Sequence, residues 1–403
     1  MAEAFGGRLG LVNVAGNRLL VVRELEAHNI GDLVLAGDGR HLLVPHQLLD
    51  AGEATTRGGV HWGGVLLNVV RSVSLQMLEQ NSDDLRSRLG LDYVGIPDRA
   101  AGDPTSLKLA AGGRRVLLLS GVHEVVTSDD GIQYFDRQRV GLGPAALTLT
   151  GGGQRAWIAN RFSDSVSLVQ LKPLKQLAEI SLGPASGLTA VDRGEQLFHD
   201  ARLSSDGWFS CHSCHTRGHS NGLLNDNFGD DTYGAPKKVL SLLGTRDTGP
   251  WAWNGRVSRL ADQVEKSIEL TMRGPRLSTR RAAALAAYLR QLPAAPSLAE
   301  ARAERNGPAI ERGRAIFTRT GCTACHAPPA YTSPESYDVG LHDKQGQTRF
   351  NPPSLRGVSQ RDRLFHDNRA RDLREVFDRF RHGLKTPLPA RERDDLLRFL
   401  ESL

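Results

Sequence analysis

All four cysteines of the 403-residue chain sit in two copies of one short pattern. The stretch "SCHSCH" places Cys211, Cys214 and His215 as C-x-x-C-H, and "CTACH" repeats the spacing at Cys322, Cys325 and His326. A disulfide between residues three apart closes a loop too small to add much stability. Zinc modules built on four cysteines join their pairs with short spacers, whereas about a hundred residues separate these. A thioredoxin-type redox pair needs a βαβ context, and the surroundings of both copies read as helical. Covalent haem remains: two thiols one helical turn apart each add to a vinyl group, and the following imidazole points at the iron. Each copy also follows a G-x-x-x-F helix, "GEQLF" and "GRAIF". Two covalently bound haem c groups are therefore expected, with His215 and His326 as proximal ligands of the iron.

The chain changes texture along its length. The segments beginning at 31, 105 and 145, "GDLVLAGDGRHLLVPHQ", "TSLKLAAGGRRVLLLSG" and "AALTLTGGGQRAWIANR", align without a gap. Leu33, Leu107 and Leu147 share one position, Leu35, Leu109 and Leu149 another, and Gly39, Gly113 and Gly153 mark a turn. Each copy reads as strand, glycine turn, strand. The last two start about 40 residues apart, the size of one four-stranded propeller blade. The wider gap before them leaves room for an insertion that includes the helical-looking "VSLQMLEQNSDDLRSRL". After the third copy, "SDSVSLVQLKPLKQLAEISLG" supplies two more strands. From about 187 the pattern is helical: "TAVDRGEQLFHDARL" has Asp192 as its expected N-cap, and "RAAALAAYLRQL" ends at Pro293. A Pro/Ala linker, "PAAPSLAEARAERNGPA", parts two halves that repeat the same helix and cysteine motif. The expected organisation is multidomain, with an all-β region over 1–185 followed by two all-α cytochrome c-like domains over 187–297 and 298–403.

Two resemblances add to this reading. The "AWIANRFSDSVSLVQL" pattern resembles the YVTN-type β-propeller repeat, so 1–185 is expected to be a partial propeller with a docking role. Residues 187–403 resemble the bacterial di-haem cytochrome c peroxidase and MauG family, through "GEQLFHDARLSSDGWFSCHSCH", "WAWNGRVSRLADQ", "GRAIFTRTGCTACH" and "PPSLRGVSQRDRLFHDNR". That resemblance implies a peroxide-reactive haem in the first helical domain and an electron-transfer haem in the second. Trp253 matches the tryptophan between the haems, and Gln263 the glutamine of the distal pocket. The chain also departs from the family. Where the family carries a glutamate before Met-Gly, "IELTMRG" has Thr271, with Glu265 and Glu269 as the nearby carboxylates. Where it carries Met or Tyr as sixth ligand in the second domain, Phe380 stands, and phenylalanine cannot ligate iron. His382 is the candidate distal ligand in its place, while His366 is expected to pack near the haem and His219 to lie too close to His215 to swing over it. The asparagine expected near Val239 for an inter-haem calcium is absent, which puts calcium in doubt.

Composition narrows the function further. The net charge of +6 is spread along the chain with no recognition motif, so nucleic acid is not an expected partner. No apolar run reaches about 18 residues, so no transmembrane helix is expected. Covalent haem attachment implies a periplasmic protein, yet "MAEAFGGRLG" lacks a signal sequence, and an N-terminal truncation that also removes further blades is expected. The enzyme reading is reduction of hydrogen peroxide, or its use to oxidise a partner, with a small cytochrome, a cupredoxin or a protein substrate as electron donor. The alternative is a non-enzymatic electron-transfer protein that docks through its propeller.

Overall fold

The glycine turns seen in the repeats are the corners of the β region. In the computed structural model, which describes residues 1–3, 5–80, 90–129, 136–184, 187–303 and 307–403, Gly39, Gly113 and Gly153 have φ of 66°, 81° and 83°. A side chain would strain this left-handed conformation, which glycine adopts freely. Each turn joins the first two strands of a four-stranded antiparallel meander. The first sheet comprises Val34–Leu35, His41–Leu49, Leu66–Ser74 and Leu91–Val94. The second comprises Pro104–Leu109, Arg115–Leu119, Glu124–Ser128 and Asp136–Arg139, and the third Pro144–Thr150, Arg155–Asn160, Ser165–Leu171 and Leu174–Ser181. A two-stranded hairpin, Arg8–Asn13 with Arg18–Glu24, precedes them. Among the described residues the sheets do not close into a ring.

Burial explains why the second sheet is so apolar. Leu107, Leu117, Leu119 and Val126 pack in one cluster with Leu43 and Val70 of the first sheet. From the opposite face, Val116, Leu118 and Val125 join Leu147, Ile158 and Val169 of the third. A strand covered on both faces reads as a continuous apolar run, as "VLLL" does, whereas the last strand of the third sheet is largely exposed. The insertion before the second repeat contains the short helices Arg57–His61 and Leu75–Gln80, and its remainder, 81–89, lies outside the described residues.

Contacts divide the chain into two compact units. The first is Met1–Arg217 with Met272–Pro275, and the second is Gly218–Thr271 with Arg276–Leu403. After the sheets, the first unit continues into helix Ala190–Phe198. Its N-cap is Thr189 rather than the expected Asp192. Asp192 sits at the third helical position, where its carboxylate bonds back to the Thr189 N–H and completes a capping box.

In the second unit, helices Pro308–Arg319 and Ala390–Glu401 cross closely because Gly313 has no side chain: a Cβ there would lie 2.1 Å from the Asp395 carbonyl oxygen. Arg312 grips the Asp395 carboxylate through two bonds of 2.7 Å beside that crossing. Phe317, Leu396, Phe399, Val376 and Phe377 form the core around it. Helix Thr279–Gln291 is capped by Ser278 and stops two residues before Pro293. Within the expected linker, Leu298–Ala301 forms one helical turn whose Ala299 joins the same core.

Candidate haem-attachment sites

The two cysteine motifs fold locally in similar ways. In the first unit, Ser210 caps the single turn Cys211–Cys214, and the His215 N–H donates to the Cys211 carbonyl at 2.9 Å. In the second, Gly321 at φ 82° leads into the turn Cys322–Ala324, and the His326 N–H donates to the Cys322 carbonyl at 2.9 Å. Both turns thus put two sulfurs and an imidazole one turn apart. Burial pushes the thiols of Cys211 and Cys214 up to about 12, and a nearby negative charge at Asp103 adds to this. Burial likewise raises Cys322 and Cys325. Redox dithiols work through a lowered thiol pKa, so neither pair has that character.

His326 carries the clearest sign of a ligand. Its Nδ1 lies 3.1 Å from the Tyr331 carbonyl oxygen, which assigns the proton to Nδ1 and leaves the Nε2 lone pair for a metal. Burial pushes this imidazole down to about 4, and charge on His382 would lower it further. His382 is half-buried, its own pKa is lowered by burial, and its Nδ1 has no hydrogen-bond partner among the described residues. Its ring meets Phe365 edge-on at 5.3 Å, and Phe365 meets Phe380 at 5.2 Å. The donor set Cys322, Cys325 and His326, with a second imidazole in electrostatic reach, fits a covalently held haem. Cys211, Cys214 and His215 fit one by the same chemistry.

Trp253 and Gln263 both belong to the second unit. The Trp253 indole N–H donates to the Lys238 carbonyl at 2.8 Å, and its ring meets His366 edge-on at 6.2 Å. His366 is buried and stacked 4.1 Å from Phe350. Gln263 lies on helix Leu260–Lys266, which runs on into a π-helical turn, Ser267–Thr271. Its amide Nε2 donates to Ser267 Oγ at 3.1 Å, while Oε1 is buried without a partner among the described residues. Thr271 ends that turn, and Glu269 pairs at the surface with Arg276 at 3.7 Å. The His219 Nδ1 lies 2.7 Å from Ser241 Oγ.

Lys238 was not singled out from sequence. It is buried, its ammonium donates to the Arg363 carbonyl, and its backbone N–H donates to the His366 carbonyl. Burial lowers it to about 8, with the charges of Arg361 and Arg363 acting in the same direction against Asp362. Among the described residues one separate trio, His61, Asp98 and Asp206, brings ligand atoms within 4.8 Å of one another, and His61 Nδ1 lies 2.8 Å from an Asp206 carboxylate oxygen.

Residues 189–310 match the family model for di-haem cytochrome c peroxidase. The methylamine utilization protein MauG of Methylorubrum extorquens is 28% identical over 277 residues, covering 53% of this chain and 77% of that protein. The hydrazine synthase subunit gamma of Kuenenia stuttgartiensis is 26% identical over 273 residues, covering 53% and 77%. A solved structure of hydrazine synthase from the same organism superposes with a TM-score of 0.49 at 23% identity, over 57% of this chain and 99% of that one. The class defined by the matched segment is that of di-haem oxidoreductases. Residues 189–310 thus match the di-haem cytochrome c peroxidase family model, and about half of the chain is similar to MauG.

Proposed function

We propose that the protein is a periplasmic di-haem c-type cytochrome that uses hydrogen peroxide to oxidise a cytochrome, cupredoxin or protein partner. Cys211, Cys214 and His215 would hold one haem, and Cys322, Cys325 and His326 the other, with His382 available to ligate the second iron. Haem supplies the electron storage and the peroxide chemistry when bound. The observation that carries the enzyme reading over the electron-carrier one is Gln263. Ser267 accepts from its amide nitrogen and donates to its main-chain oxygen, so the side chain is held fixed while Oε1 is left buried, without a partner among the described residues, to accept an O–H. A peroxide supplies such a donor.

Trp253 is proposed as the relay between the two groups. Its N–H is bonded to a peptide oxygen that cannot take a proton, so an indole that loses an electron keeps its hydrogen. No carboxylate stands at Thr271. General acid–base help is worth about 10²–10⁴-fold, so the peroxide reaction is expected to be slow.

Stopped-flow spectra of the reduced protein test the proposal. Peroxide at modest excess should oxidise both haems, Gln263→Ala should slow the reaction about tenfold or more, and Trp253→Phe should let one haem react while the other stays reduced. Wild-type spectra unchanged over minutes would replace this reading with that of an electron carrier.

A further inference from the structure

The first attachment turn is held by the β region. The hydroxyls of Ser210 and Ser213 each donate to the Asp103 carboxylate at 2.6 Å, one to either oxygen. The Gln47 amide nitrogen lies 3.2 Å from Asp103 Oδ1, 2.8 Å from Asn68 Oδ1 and 3.3 Å from Ser213 Oγ. Asn68 donates to the Trp208 carbonyl at 2.8 Å. At the far end of the turn, Asn29 donates to the Ser213 carbonyl at 2.9 Å and accepts from the Thr216 hydroxyl at 2.6 Å. Asp103, Gln47, Asn68, Ser210 and Ser213 are all buried. Gln47 and Asn68 lie on the two long strands of the first sheet, and Asp103 immediately precedes the second sheet. Asn29 and Asp103 have left-handed φ of 48° and 56°, which Asn and Asp tolerate better than most residues.

A four-residue helix has no independent stability, so its rotation and depth are set by what grips it. Here the grip falls on the serines, which alternate with the cysteines along the turn. We infer that Asp103 is the positioning residue of the first haem: a carboxylate presented by the β region fixes Ser210 and Ser213, and through them the placement of Cys211, Cys214 and His215. The inference rests on those three residues holding a haem. It gives the β region a role beyond docking, since part of the first haem site's scaffold comes from residues 29–103. An asparagine at 103 keeps the shape and bonds a hydroxyl through either terminal atom, whereas alanine removes both bonds from the carboxylate to the turn.

The test uses the full chain matured with its haems. Intact mass is read first: two added haems in the wild type and one in Cys211→Ala/Cys214→Ala establish the attachment itself. The electron paramagnetic resonance signals and midpoint potentials of both ferric haems are then measured in Asp103→Ala, Asp103→Asn and Ser213→Ala. Asp103→Ala should displace the signal and potential of one haem and leave the other as in wild type, with Asp103→Asn returning the signal and Ser213→Ala giving a weaker form of the same change. If Asp103→Ala fails to fold, the Ser213→Ala spectra and potentials decide the matter alone. Wild-type signals and potentials at both haems in every folded variant, with two haems counted, would overturn the inference while leaving the haem reading intact.

Discussion

At position 382 stands an imidazole, the proposed iron ligand in place of the aligned residue, Phe380, which cannot serve as one. His382 has an Nδ1 unpaired among the described residues, lies close enough to His326 to affect its charge, and is held by its backbone bond to Val376 at 3.1 Å. With imidazoles on both sides the second haem is expected to be low-spin. His382→Ala should open that iron, seen as a high-spin component in the ferric spectrum and as carbon monoxide binding by the reduced protein. A variant that keeps a low-spin spectrum and refuses carbon monoxide would show that another group ligates the iron. The sequence pointed to His382 only by elimination, after methionine and tyrosine had been found missing. Nothing in it indicated Tyr331, whose contribution is a backbone carbonyl and so carries no side-chain signature.

At the scale of elements, the strands of the first sheet enclose ionisable groups that bear on acid stability. His46 lies in strand His41–Leu49 with Nδ1 near the Gln47 carbonyl at 3.1 Å and Nε2 accepting from the Arg71 guanidinium at 3.2 Å. A proton added at Nε2 would break the second bond and place two cations side by side. Burial pushes His46 down to about 3 and His28 to about 4. The folded pKa is below the unfolded value near 6.5, so the unfolded chain takes up protons first as the pH falls. These two histidines should therefore cost no stability above pH 6.5 and progressively more toward pH 3. Urea melts followed by far-ultraviolet circular dichroism read this directly, and a midpoint that does not fall between pH 6.5 and 4 would contradict it. The strands themselves were legible, because glycine turns and leucine alternation are local patterns. The cap falls at Thr189 instead of the expected Asp192 because both residue types cap well and the helix register, not the local sequence, decides between positions three apart. Asp103 was invisible for a related reason: its partners at 210 and 213 are distant in sequence, and no periodicity links them.

For the whole molecule, the question of calcium turns on Lys238. A buried ammonium already bonds the Arg363 carbonyl there, with the charges of Arg361 and Arg363 close by. A divalent cation would meet a net positive surrounding, and burying like charges together is costly. Chelation should therefore leave both haem spectra and the peroxide reaction unchanged. Lys238→Met, which removes the ammonium's bond to the Arg363 carbonyl, should shift the segment whose peptide oxygen holds Trp253 and so perturb the haem spectra. Loss of activity on chelation, restored by calcium, would refute this.

The first compact unit has its own consequence for anyone who divides the chain. It runs past the change from strands to helices and ends at Arg217, just beyond the first C-x-x-C-H turn, taking Met272–Pro275 with it. Ser205 is tied to this outlying segment by a bond of 2.9 Å to the Met272 carbonyl. A fragment begun at residue 187 would keep every motif of a di-haem enzyme and yet strip its first haem of Asn29, Gln47, Asn68 and Asp103. Inheritance should follow the same seam: a recombination event that exchanged the strands for another module would have to bring a new polar cradle with it, or lose the haem nearest the join.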